Sequence, residues 1–248
     1  MHLSFRWFFV ALIANRLPAQ ASGHWPPDSL VNTHIIPHGT SVTQVVGTMR
    51  NYASYLGVRC QYCHVGEEGQ PLERFDFPSD QKRPKLVARQ MMRMVEEINR
   101  RIDTIPGRPS PGVQVTCGTC HHGVARPLPL SNLVVEAATV AGVDSALRTY
   151  QALRQRYYGR DAYDFGESSL SIAAFRLGRA GRTDDALAIL RANEANFPSS
   201  SGLSVFRGNI HLLKGDTLAA AESFREALRR DPSNEEARGR LRDIGQRP

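Results

Sequence analysis

The sequence predicts an all-α chain in two parts. An N-terminal region of helices and long loops surrounds two Cys-x-x-Cys-His pentads, and a C-terminal array of helical hairpins follows. Three observations carry this expectation. Apolar residues recur at helical spacing on the segments that precede each pentad. Prolines and glycines gather between those segments, as loops require. From about Glu167 the chain repeats itself: Gly181 and Gly215, Ala186 and Ala220, and Pro198 and Pro232 are each 34 residues apart.

With 248 residues, 41% of them apolar and 22% charged, the chain has the composition of a soluble protein of one or two domains. Its formal charge is +7. Arg6 and Arg16 fall in a segment expected to be removed, which leaves 7 − 2 = +5. A surplus of this size fits an acidic partner or a membrane surface. No Lys/Arg tract points to nucleic acid.

Residues 1–21 read as a secretory signal peptide. Met1–Arg6 is a short positive region, Trp7–Ala14 an apolar run of eight residues, and Ala19-Gln20-Ala21 an A-x-A cleavage site that makes Ser22 the mature start. Eight apolar residues are too few to cross a membrane. Downstream no apolar run is longer, so the expectation is an exported, periplasmic bacterial protein with no transmembrane segment after signal removal.

The first helix is expected over Val42 to Leu56. Ser41 and Gln44 form a capping box and Gly57 a C-terminal stop. Its stripe includes Val42, Val45, Val46, Met49 and Leu56. The pentad Cys60-Gln61-Tyr62-Cys63-His64 follows. A second helix is expected over Pro84 to Ile102, with Pro84 in its first turn and a stripe of Val87, Met91, Met94, Val95, Ile98 and Ile102. A Pro/Gly-rich connection (Ile105-Pro106-Gly107, Pro109, Pro111-Gly112) leads to the second pentad, Cys117-Gly118-Thr119-Cys120-His121.

All four cysteines lie in these pentads. A c-type haem needs two thiols separated by two residues, for thioethers to its vinyl groups, and a His directly after the second to ligate iron. A zinc site of four thiolates, or a disulfide framework, would leave both histidines unexplained. The spacing therefore predicts two covalently bound haem c groups, through Cys60 and Cys63 and through Cys117 and Cys120. His64 and His121 would be the proximal iron ligands. The mature chain has four methionines, Met49, Met91, Met92 and Met94. By pattern alone Met49 and Met91 read equally well as core residues or as distal iron ligands. His24, His34, His38 and His211 are rival ligands that read first as loop or surface residues.

The segments Thr48-Met49, Leu56 to His64, Phe75 to Asp80, Val87 to Met94, Ile98-Asn99 and Val115 to His121 resemble the photosynthetic reaction-centre cytochrome c subunit family. The likeness covers about residues 30–130 and extends beyond the pentads into both helices. In that family a Met on the helix before each pentad usually supplies the distal ligand. The resemblance thus implies Met49 for the first haem and Met91 for the second. Two departures stand out. The family's reaction-centre subunits hold four haems where this chain has pentads for two, so a photosynthetic role is not carried over. His122 stands where a basic or amide residue is frequent.

Residues 124–142 read as a linker with little pattern. A helix is expected from Asp144 to Tyr157, with Leu147, Tyr150, Leu153 and Tyr157 on one face. The 34-residue period then matches tetratricopeptide repeats, with Arg207 and His211 where apolar or aromatic residues are usual. Glu235 to Ile244 reads as a polar capping helix. The expected organisation is a signal peptide over 1–21 and a di-haem domain over 22–131. A linker and helix over 132–166 and tetratricopeptide-like repeats over 167–248 complete it. The expected function is electron transfer between a redox donor and acceptor, soluble or membrane-bound, rather than enzymatic turnover. The repeats would dock a partner or brace the haem part. A di-haem enzyme such as a peroxidase, or a haem-bearing scaffold or sensor, is the alternative.

Overall fold

The computed structural model describes residues 24–247. The signal-peptide assignment lies outside the described residues. The chain divides into two compact units on either side of the Cys117–Gly118 bond. Among the described residues there are eleven α-helices, one short 3-10 turn and no strand. The one β-type pairing among them is a bridge between Val65 and Asp76.

In the first unit, α1 spans Val42–Leu56 and starts on Ser41. The Gln44 N–H donates to Ser41 Oγ at 3.3 Å and the Ser41 N–H to Gln44 Oε1 at 3.0 Å. This reciprocal pairing satisfies two amide donors that a helix start leaves open. Gly57 ends α1 at φ +64, a left-handed conformation that costs a residue without Cβ little. The one-turn helix α2 (Cys60–Cys63) packs on α3 (Arg83–Ile102), and a 3-10 turn at Leu72–Arg74 lies between them in sequence. This unit has very little protein core. Val45 and Phe75 are its buried apolar side chains among the described residues, and no residue of α3 is buried.

The second unit is packed in the ordinary way. It begins with α4, whose span Cys117–His121 starts at the division between the units. It continues through α5 (Leu130–Ala141), α6 (Val143–Tyr157), α7 (Glu167–Arg179), α8 (Thr183–Asn196), α9 (Ser201–Lys214), α10 (Thr217–Arg230) and α11 (Glu235–Asp243). The pairs α7/α8 and α9/α10 are successive helical hairpins. Their starts, Glu167 and Ser201, and Thr183 and Thr217, keep the 34-residue offset. One core cluster joins α5 to α9 around Leu170, Leu177, Ile189 and Leu190, and a second joins Phe224 and Ala227 of α10 to Leu241 of α11.

The segment read as a patternless linker contains a helix. Leu130, Val134 and Ala138 of α5 are buried one turn apart, and α5 packs on α6 and α7. Gly142, at φ +80, joins α5 to α6 directly. The other positions of α5 are mostly small or apolar, so its sequence lacks the polar face that makes a helical period visible.

Candidate functional site

The first pentad forms the single turn α2, which sets Cys60 and Cys63 three residues apart on one side. His64 leaves the turn in an extended conformation, φ −109 and ψ 152, with its N–H on Cys60 O at 3.0 Å. Its ring is fixed by the segment 75–80. Nδ1 donates to the Phe77 carbonyl at 3.1 Å, and the ring meets Phe77 edge-on at 4.9 Å between centroids. A carbonyl can only accept, so Nδ1 carries the proton and Nε2 keeps a free lone pair. Burial lowers the His64 pKa, the hydrogen bond to Phe77 opposes this, and the charges of Lys85, Arg89 and Lys82 lower it further. Burial also raises the Cys63 thiol.

The segment 75–80 is held by a charge cluster on α3. Lys85 Nζ donates to the carbonyls of Phe77, Pro78 and Ser79 at 2.8, 2.8 and 2.9 Å. It also pairs with Asp80 at 3.1 Å, while Arg89 pairs with the other Asp80 oxygen at 2.8 Å. Asn32 closes the set: its side-chain amide donates to Asp80 and to Pro78 O, and its own carbonyl accepts from Arg89. Lys82 Nζ donates to the Gln61 carbonyl inside the pentad. The Lys85 and Arg89 side chains are only 11% and 14% exposed.

The Arg89 guanidinium, with Asn32 and Lys85, holds the Asp80 carboxyl well below the usual carboxylate range. A depressed folded pKa contributes stability above the unfolded value and loses it as the pH falls towards the folded value. Asp80→Asn should therefore destabilise the protein at neutral pH. The difference from wild type should shrink as the pH drops below about 4, the ordinary carboxylate value. Denaturant titrations of both proteins at several pH values test this; a difference that grows in acid would contradict it.

The second pentad forms α4. The chain then reverses through two left-handed residues, His122 at φ +47 and Gly123 at φ +81. His122, exposed, supplies the turn rather than a contact to its neighbour's ring. The reversal brings the Val124 carbonyl to His121 Nδ1 at 2.8 Å, so His121 is also left with an open Nε2. Upstream, the Asn99 side chain of α3 pairs with both backbone groups of Val115. Its Nδ2 donates to Val115 O at 2.8 Å and its Oδ1 accepts from Val115 N at 2.7 Å. This anchors the stretch leading into Cys117.

Met49 is half-buried on α1. Met91 and Met94 lie on α3 with 37% and 46% of their surface exposed, beside exposed Leu86 and Val87. The apolar stripe read from the sequence is thus present but has no protein core against it. His34 and His38 are exposed, and His24 pairs with Asp28 at 3.1 Å. Among the described residues no disulfide joins the four thiols. Sequence reading missed Phe77 O, Asn32, Asp80, Lys85 and Arg89. No sequence signal singled them out: Lys85 and Arg89 are like charges four residues apart on a helix, but so are Arg89 and Arg93.

The family model of the photosynthetic reaction centre cytochrome C subunit matches residues 22–155, more than half of the chain. The chain belongs to this family. A cytochrome c-554 of Chloroflexus aurantiacus is 36% identical over 92 residues, which is 36% of this chain and 20% of that protein. The chain thus spans about a fifth of the length of that curated relative. No solved structure matches it. The family match runs through α5 and into α6, beyond the 30–130 likeness.

A reaction-centre cytochrome C family member implies covalently bound haem c, and the residues present fit that group. Each pentad offers two thiols on one helical turn and an imidazole whose Nδ1 is occupied and whose Nε2 is open. The uncovered apolar face of α3 and the near-absence of buried side chains before Cys117 fit a large apolar group in this unit. A metal ligand His almost always gives its other N–H to a carbonyl or carboxylate, which is the arrangement at both pentads.

Proposed function

We propose that this chain is a periplasmic di-haem c-type cytochrome that passes single electrons between a redox donor and a redox acceptor. The observation that carries the reading is the pairing of both pentad histidines, through Nδ1, with backbone carbonyls, which leaves each Nε2 open directly after a pair of thiols. Cys60 and Cys63 hold one haem and Cys117 and Cys120 the other, as thioethers. His64 and His121, through Nε2, and Met49 and Met91, through their thioether sulfurs, would supply ligands to the two irons. The bound haems supply the redox couple; the chain supplies ligands, a low-dielectric shell and fixed charge.

The signal-like N-terminus supports export, and export supplies the compartment in which haem is joined to thiols. No helix among the described residues is long and apolar enough to cross a membrane. The hairpins α7/α8 and α9/α10 are tetratricopeptide-like repeats, supported by their 34-residue offset. With α5, α6 and α11 they form a stack that docks a partner or braces the haem unit.

The test uses mature protein from a host competent in cytochrome maturation. A pyridine haemochrome assay and intact mass should give two haems per chain. Potentiometry should show two reversible one-electron steps with low-spin spectra. Colourless protein, or a stable high-spin haem that turns over hydrogen peroxide, would overturn the reading.

A further inference from the structure

We propose that the cationic face at the start of α3 (Lys82, Lys85 and Arg89), balanced by Asp80, is a positioning device that sets the reduction potential of the first haem site. The inference rests on the di-haem reading above and deepens it for the site at His64.

The Phe77 carbonyl has two donors, His64 Nδ1–H and the Lys85 ammonium, at 3.1 and 2.8 Å. A carbonyl already engaged by a cation is a weaker acceptor for the imidazole. The imidazole is then less electron-rich, and ligand basicity of this kind tunes a bound metal. Lys82 engages the Gln61 carbonyl within the pentad. Lys85 and Arg89 are largely shielded from water, so their charges are weakly screened. Asp80 pairs with both, and Asp76, whose Oδ1 accepts from Ser79 N, lies in the same segment. Three cations and two carboxylates leave a net charge of +1 at this site. The oxidised iron carries one more positive charge than the reduced iron. Fixed positive charge beside its ligand therefore favours the reduced form and raises the potential.

A purely structural role for the cluster makes a different prediction. Lys85 and Asp80 both tether the segment 75–80, so loss of either would loosen it and admit water. Both variants would then move the potential in one direction. The electrostatic role gives opposite signs. K85M removes a cation and lowers the potential, whereas D80N removes the counter-charge and raises it. K85R keeps the charge and should stay near wild type.

The experiment is potentiometric titration of the full-length, haem-loaded protein with the haem count checked by pyridine haemochrome. K85M should shift one of the two steps downward, and D80N should shift the same step upward. Each shift should be about tenfold in the oxidation equilibrium, or ~59 mV for one electron. The other step serves as the internal reference and should not move. Shifts of like sign, no shift, or equal movement of both steps would overturn the proposal while leaving the di-haem reading intact. Wild-type protein without covalent haem would overturn both. If K85M fails to accumulate with haem, D80N and K85R decide: an unmoved or lowered D80N step, or a K85R step displaced like a lost charge, rejects the proposal.

Discussion

The chain carrying C60A, C63A, C117A and C120A should fold its C-terminal unit and lose the fold of residues 24–117. Val45 and Phe75 are the buried apolar side chains of that stretch, and α3 buries none of its 20 residues. So small a buried core leaves little apolar burial to offset the conformational entropy lost when the unit is ordered. The second unit holds two clusters of fully buried side chains, among them Leu170, Leu177, Ile189 and Phe224. Amide hydrogen exchange of the thiol-free chain should show protection from α5 to α11 and near-random exchange in α1. In α3, an amphipathic helix without a partner, exchange should be almost as fast. Native-like protection of α1 and α3 without haem would mean that the apolar face has some other cover.

Met49→Ala and Met91→Ala should each convert one haem from low-spin to high-spin and leave the other unchanged. Met/His ligation supports a high potential, so the affected step should also fall. Met94, three residues beyond Met91 on the same exposed face, provides the control: Met94→Ala should leave both spectra as they are. Magnetic circular dichroism in the near infrared reads the axial ligand directly. If Met49→Ala and Met91→Ala change neither spectrum, those residues are packing, and the iron sites have other partners or an open position. The peroxidase alternative would then gain ground, and hydrogen peroxide turnover by wild type would decide it.

Much of the helical framework was legible in the sequence because its signals are local. Ser41, Gln44 and Gly57 mark both ends of α1, and α1 runs over Val42–Leu56 as expected. Pro84 marks the first turn of α3, which starts one residue earlier, at Arg83. Glu235 opens α11, which ends at Asp243. In α6, Tyr150 of the expected stripe is buried, while Leu147, Leu153 and Tyr157 are partly buried against the core. By contrast α5 was missed, because a helix with apolar or small residues on most sides shows no period. Arg207, expected to interrupt the apolar side of its hairpin, has polar partners there, whereas His211 keeps a buried Nδ1 with no hydrogen bond. Arg207 pairs with Glu194 and donates to Ser223, and the half-buried His211 lies in the same groove.

The sequence by itself determined the two Cys-x-x-Cys-His units, the helix before each of them, and the 34-residue period, since each is a pattern of neighbouring side chains along the chain. Only the tertiary structure decided what holds the imidazoles. The partners are the carbonyls of Phe77 and Val124, and every residue has a carbonyl, so no side-chain letter can announce which one will serve. It likewise decided that Lys85, Arg89, Asp80 and Asn32 converge across as many as 57 residues of sequence, because charge pairs are selected by distance in space. The left-handed turn at His122 belongs to the same class: its conformation follows from the carbonyl that His121 must reach.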